Sequence, residues 1–241
     1  MLGNGHPALV RLEWRRTRSR FHPYTTAQLI PGKKRLASML QYAITDRRLF
    51  PGDEREQADA LIDQARRLSS TPVDILQIRE KDLPEPQLQA LAHRLIQAVH
   101  ASAPGVTRVL LNGPAHLAAA VRAHGVHLRT GTTLTDVEHV REAFARAALP
   151  PPLHSLSCHS LEDVRAAAPL GLNYLLFGPI FEKRVHGNLV SPGLGLDLLQ
   201  EAAHLAPNSR LIALGGVTRD KVPLCMEAGA AGIGGIRLFL Q

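Results

Sequence analysis

The sequence predicts a (β/α)8 TIM barrel of one domain, and three observations carry the prediction. Eight short β-rich runs follow residue 40, connections long enough for a helix separate them, and glycine pairs close the seventh and eighth runs. With 241 residues and 45% apolar composition the chain can bury one sizeable core, and barrels of this length form single domains.

The first run is Gln41–Asp46. Leu61, Ile62, Ala65 and Leu68 then recur at helical spacing and place an amphipathic helix ahead of the second run, Val73–Lys81. In Glu85–Ala101 the residues Leu88, Leu91, Ala92, Leu95, Ile96 and Val99 mark one buried helix face. The third and fourth runs are Arg108–Gly113 and Gly125–Arg129. Val137, Val140 and Phe144 give the helix leading to the fifth, Leu153–His159. Tyr174–Phe181, Arg210–Val217 and Ala230–Gly235 complete the set. Strands that alternate with helices form a parallel sheet, and eight of them close a barrel. The final outer helix is missing, because the chain stops at Gln241 where that helix would begin. Either the N-terminal leader covers the gap, or the barrel is open there and pairs with another chain, which leaves a homo-oligomer open.

A doubly wound open sheet would carry a glycine-rich phosphate loop after its first strand, but Tyr42-Ala43-Ile44-Thr45-Asp46 runs into Arg47-Arg48-Leu49. The glycine pairs are Gly215-Gly216 and Gly234-Gly235, after the seventh and eighth runs, where barrels build a phosphate site from backbone N–H groups.

The net charge of +7 belongs to the leader. Residues 1–37 hold Arg11, Arg15, Arg16, Arg18, Arg20, Lys33, Lys34 and Arg35 against Glu13, which leaves 20 basic and 20 acidic residues in 38–241. We expect two parts: a disordered basic extension, 1–37, and the barrel, 38–241. The leader shows no clear amphipathic period, and no nucleic-acid partner is expected. No apolar run reaches the roughly 18 residues that span a bilayer, so no membrane partner is expected. Cys158 and Cys225 show neither metal spacing nor a disulfide framework, and a cytoplasmic location fits them.

Side chains alternate along a strand, so Gln77, Arg79 and Lys81 share one face and Leu76, Ile78 and Glu80 the other. Two fixed cations at a strand's end suit an anionic substrate. The same parity puts Ser155, Ser157 and His159 on one face and His154, Leu156 and Cys158 on the other. Cys158 and His159 therefore point apart and cannot form a nucleophile pair. His159 ends its strand at the mouth of the expected site, and an imidazole suits proton transfer in either direction. His127 is a weaker candidate, and His186 lies in a loop.

Tyr42-Ala43-Ile44-Thr45-Asp46, Gln77-Ile78-Arg79-Glu80-Lys81, Asn112-Gly113, Gly125-Val126-His127-Leu128, Ser157-Cys158-His159-Ser160, Leu176-Phe177-Gly178-Pro179-Ile180-Phe181 and Ala213-Leu214-Gly215-Gly216-Val217 stand in order over residues 41 to 241. The set resembles the thiamine phosphate synthase/TenI superfamily. The resemblance implies thiamine biosynthesis, a small phosphorylated heterocyclic substrate, and one of two chemistries. Synthases join an aminopyrimidine pyrophosphate to a thiazole phosphate and use magnesium. TenI-type tautomerases move a proton to aromatise a thiazole carboxylate phosphate and need no metal.

Synthases usually read Asn-Asp after the third strand and place a second aspartate after a Gly-Gln following the fourth. This sequence has Asn112-Gly113 and Leu128-Arg129-Thr130-Gly131-Thr132 instead, so both expected magnesium ligands are absent. The segment Glu182–Gly187 also departs from the Thr-rich synthase loop. The resemblance to the tautomerases nominates His159, in its Ser-x-His-Ser segment, as general acid/base. It implies substrate contacts from Gln77, Arg79, Lys81, Asn112, His127, Ser157 and Gly178, and phosphate contacts from Gly215, Gly216, Gly234 and Gly235. No cofactor is expected, and magnesium only for the synthase alternative. A non-catalytic binder of thiamine precursors is the third reading.

Overall fold

The computed structural model describes residues 39–102, 106–185 and 188–240, so the predicted extension 1–37 and His186 lie outside them. The eight barrel strands are β1 (Leu40–Ile44), β2 (Ile75–Ile78), β3 (Arg108–Leu111), β4 (Gly125–Leu128), β5 (Leu153–Cys158), β6 (Tyr174–Phe177), β9 (Arg210–Leu214) and β10 (Gly232–Gly235). An antiparallel ribbon of β7 (Lys183–Val185) and β8 (Asn188–Ser191) is inserted after β6, in a segment the sequence reading left as loop. The outer helices are α1 (Glu54–Ser69), α2 (Glu85–Ser102), α3 (Ala115–Ala120), α4 (Leu134–Arg146), α5 (Leu161–Ala167), α6 (Leu196–Leu205) and α7 (Val222–Glu227). Among the described residues no helix is long and apolar enough to cross a membrane.

The barrel is closed in the order β1-β10-β9-β6-β5-β4-β3-β2, with every pair parallel. Closure corrects one expectation. A 3₁₀ turn, Arg237–Phe239, follows β10, yet the barrel is not open at this point. Leu40 to Ala43 lie in register with Gly232 to Gly235, and strand pairing does not depend on an outer helix. On the outside, α1 reaches the turn directly: Gln64 Nε2 donates to the Phe239 carbonyl at 2.7 Å, in a buried position.

Alternation divides the core into two layers. Leu76, Ile78, Val109, Leu111, Val126, Leu156, Cys158, Leu175 and Phe177 face outward against the helices. Leu40, Tyr42, Ile44, Ile75, Leu110, Tyr174, Leu176 and Ile212 fill the barrel interior. Predicted and observed strands agree in place but not in length. Val73–Lys81 holds only Ile75–Ile78 as strand, and Tyr174–Phe181 only Tyr174–Phe177. The overrun arises because extended alternation continues into the loops after the ladder hydrogen bonds stop. After β9 the cause is sharper: Gly215 and Gly216 take φ of +87° and +66°, the left-handed region that ends a strand and favours glycine.

Candidate active site

The inward faces of the strands climb towards their C-terminal ends and open into a cavity of about 710 Å³. Every residue that sequence reasoning assigned to the site lines it except Gly178. Gln77, Arg79 and Lys81 enter from the end of β2, Asn112 from β3, His127 from β4, and Ser157 and His159 from β5. Gly178 instead fills a tight approach. A Cβ there would lie 1.9 Å from the Leu214 carbonyl oxygen, which explains the glycine without a ligand.

The Ser157-Cys158-His159-Ser160 segment separates into four roles. Ser157 Oγ lies 3.0 Å from His127 Nε2. Cys158 is buried in the outer core, where burial pushes its thiol up to about 12 and keeps it protonated. Ser160 caps α5: its hydroxyl accepts from the Asp163 N–H at 3.1 Å, and Asp163 in turn accepts from the His159 N–H at 2.7 Å. His159 is exposed to the cavity, and its Nδ1 lies 2.8 Å from the Gly178 carbonyl oxygen. A carbonyl only accepts, so Nδ1 carries the proton, and in the neutral ring the lone pair is on Nε2. Gly178 thus contributes through its carbonyl, by orienting His159.

His127 sits deeper. Burial, with Arg79 and Lys81 nearby, pushes its imidazole down to about 3, so the ring is neutral. Its Nδ1 lies 2.8 Å from Ser155 Oγ, which is itself 2.8 Å from the Tyr42 hydroxyl. Sequence parity placed Ser155 on this face, but nothing in the sequence signalled Tyr42, since the pair is 113 residues apart. Gln77 is 1% exposed, and its side-chain oxygen has no hydrogen-bond partner. An orphaned buried acceptor is costly, and this one is closed off from solvent.

The lining is strongly cationic. Among the described residues Arg79, Lys81, Arg129 and Arg237 stand against a single lining carboxylate, Asp46, which Arg48 pairs at 3.2 Å. Arg129 and Arg237 were not among the predicted contacts. Arg237 sits in the 3₁₀ turn after β10, beside Gly234 and Gly235. The first N–H groups of such a turn lack partners within it and suit an anion. At Gly215 and Gly216 the tight packing is part of the explanation: added Cβ atoms would meet Pro179 Cα at 2.6 Å and Phe181 O at 2.8 Å.

Arg79 and Lys81 are aimed by a polar cluster on the other face of the same segment. Thr45 Oγ1 donates to Glu80 Oε1 at 2.6 Å and accepts from the Arg79 N–H at 2.9 Å. Arg47 is buried against Glu80 at 3.2 Å and forks onto Asp82 at 2.8 and 2.7 Å. Its guanidinium holds the Asp82 carboxyl below the usual carboxylate range.

The positions that would serve magnesium do not fit it. Gly113 has no side chain and packs against Leu111 and Leu88 at 3.3 to 3.4 Å, measured from an added Cβ. The Thr132 hydroxyl turns back on the Arg129 carbonyl at 2.7 Å. A hard divalent cation held by carboxylate oxygens would find four fixed positive charges and one paired aspartate.

The family described as thiamine monophosphate synthase matches residues 41–239. A thiamine-phosphate synthase of Koribacter versatilis is 32% identical over 190 residues, covering 78% of this chain and 83% of that protein. One of Mycobacterium avium is 32% identical over 203 residues, with 81% and 83% covered. Among solved structures, a thiamine phosphate pyrophosphorylase from Pyrococcus furiosus superposes with a TM-score of 0.63 at 23% identity, covering 82% of this chain and 85% of that one. With these matches running from the first barrel strand to the turn after the last, the chain belongs to the thiamine monophosphate synthase/TenI family of barrel enzymes of thiamine biosynthesis.

Proposed function

We propose that this family member is a TenI-type thiazole tautomerase, a metal-independent isomerase acting on a thiazole carboxylate phosphate. The observation that carries the reading is His159, whose Nδ1–H is held by the Gly178 carbonyl while Nε2 is presented to a cavity rich in fixed cations. In the tautomerisation one C–H bond breaks at the ring and another forms at the exocyclic carbon, with no leaving group and no change in oxidation state. His159 Nε2 takes the first proton. The resulting imidazolium, stabilised by the Gly178 carbonyl, returns it at the second carbon. Glycine backbone groups and Arg237 suit the phosphate, and Arg79, Lys81 and Arg129 suit the carboxylate. Aromatisation supplies the driving force, and general acid–base catalysis of this kind is worth about 10²–10⁴-fold.

The names of the relatives favour a second reading, thiamine phosphate synthase, in which a pyrophosphate leaves with help from magnesium. Gly113 and Thr132 weigh against it, because they remove the expected ligands. Two assays on the purified chain, each with and without magnesium, separate the readings. The expected outcome is metal-independent aromatisation of the thiazole tautomer, with kcat lowered at least 10²-fold in His159→Gln and affinity little changed. Magnesium-dependent joining of aminopyrimidine pyrophosphate to thiazole phosphate would replace this reading with the synthase. Ligand binding with no turnover in either assay would replace it with the non-catalytic binder.

A further inference from the structure

A line of polar groups crosses the barrel interior. It runs from the Tyr42 hydroxyl to Ser155 Oγ at 2.8 Å, from Ser155 Oγ to His127 Nδ1 at 2.8 Å, and from His127 Nε2 to Ser157 Oγ at 3.0 Å. Tyr42 and Ser155 are fully buried, and Ser157 lines the cavity. The line therefore has one closed end and one open end.

Only one direction of donation satisfies it. Suppose His127 donated from Nδ1. Ser155 would then either donate to Tyr42, leaving the Tyr42 O–H in need of a further acceptor, or accept from both neighbours and leave its own O–H without one. Among the described residues the Tyr42 hydroxyl has Ser155 Oγ as its hydrogen-bond partner and no other. Either way a buried hydroxyl proton would be stranded, since among the described residues Ser155 Oγ bonds only Tyr42 and His127, and that is costly. In the opposite direction every proton has an acceptor: Tyr42 donates to Ser155, Ser155 to Nδ1, and Nε2–H to Ser157. The Ser157 hydroxyl proton is then left to point into the cavity.

We infer that Tyr42, Ser155 and His127 form a one-way hydrogen-bond relay that holds the Ser157 hydroxyl as a donor into the cavity, so the bound molecule must present an acceptor there. Tyr42, Ser155 and His127 are positioning residues, and Ser157 is the group that touches the ligand. Neutral His127 fits this scheme because it has one N–H and one lone pair to hand along the line. The ligand is therefore read by a fixed donor at Ser157. The identity of the acceptor rests on the proposed tautomerase reading: a ring nitrogen or a carboxylate oxygen, either of which gains negative charge as the ring C–H is broken. A donor fixed in advance on such an atom stabilises the transition state.

The test begins on the ligand-free full chain. Histidine labelled with ¹⁵N reports the tautomer of each ring, and His127→Asn identifies the His127 signal among the 12 histidines. A neutral ring protonated on Nε2 is expected. An Nδ1–H tautomer or a doubly protonated ring overturns the relay, whatever the enzyme turns over. A double-mutant cycle follows on the tautomerase reaction. Ser157→Ala is expected to lower kcat/KM by about 10- to 100-fold, mostly through kcat, and Ser155→Ala by several-fold. In the Ser157→Ala background, Ser155→Ala should cost nothing further. Additive losses would show that Ser155 acts on folding or elsewhere in the site, and would overturn the relay. Absence of turnover in the wild type would defeat the tautomerase reading alone, because the tautomer measurement stands without it.

Discussion

Gly215 shows how one residue serves folding and binding together. It turns the chain at the end of β9 with φ of +87°, and its missing Cβ lets the loop after β6 lie against it. Gly215→Ala forces a side chain into a backbone region it rarely adopts and sets a methyl 2.6 Å from Pro179 Cα. We expect a loss of about 1–3 kcal/mol in stability, read from urea denaturation, together with weaker inhibition by inorganic phosphate. Loss of stability with unchanged phosphate inhibition would assign Gly215 to the turn alone. The residue scale is also where the sequence was most legible. Strand parity placed Gln77, Arg79, Lys81, Ser157 and His159 on the cavity side because alternation persists past the last ladder hydrogen bond. Parity cannot report what lies across a barrel, so the partnership of Tyr42 with Ser155 was invisible. Gly178 lies off the cavity lining, and a glycine required by a neighbouring carbonyl looks the same in sequence as one required by a ligand.

At the scale of elements, the join between β1 and β2 decides where the cations point. Thr45, Arg47 and Glu80 tie the two strand ends together behind Arg79 and Lys81, and the Arg47 and Glu80 side chains are 5% and 1% exposed. Removing Glu80 leaves Arg47 its fork onto Asp82 but takes the buried acceptor away from the Thr45 hydroxyl and the Arg47 N–H, at a cost of about 1–3 kcal/mol. Glu80→Ala should lower the urea midpoint accordingly and raise KM for an anionic substrate several-fold. A destabilised variant with unchanged KM would mean that Arg79 and Lys81 are aimed by something else. The sequence located these elements well and their ends poorly. Apolar alternation is a property of buried strands, whereas the end of a strand is set by where partners stop pairing. The β7–β8 ribbon lacked the alternation of a core strand, so the pattern gave no reason to expect it.

For the whole molecule, pH sensitivity follows from three enclosed imidazoles. Burial pushes His127 down to about 3 and His124 and His154 to about 4. In the unfolded chain each titrates near 6.5. As pH falls from about 6.5 towards 4, the unfolded state takes up protons that the folded state refuses, so stability is lost across that window. His127, the most enclosed, contributes a slope of up to about 1.4 kcal/mol per pH unit. Urea midpoints measured from pH 7 to pH 4.5 should fall steadily, and a flat profile would show that these rings are solvated in the native state. At this scale the sequence predicted the barrel and its single core but left closure open. Ladder pairing between the first and last strands is a long-range match that periodicity along one segment cannot report.

The four cations around the cavity act before any ligand arrives. Residues 38–241 carry equal numbers of acidic and basic groups, so with these four set aside the rest of that segment is net acidic and the cluster is a local positive pole. Its field reaches into solvent over roughly a Debye length, about 8 Å at physiological ionic strength. Phosphorylated molecules drifting past are drawn towards the mouth and turned charged end first, while neutral ones are not. Selection thus starts during diffusion, as a difference in arrival rate, and the contacts inside the barrel refine a choice already partly made outside it.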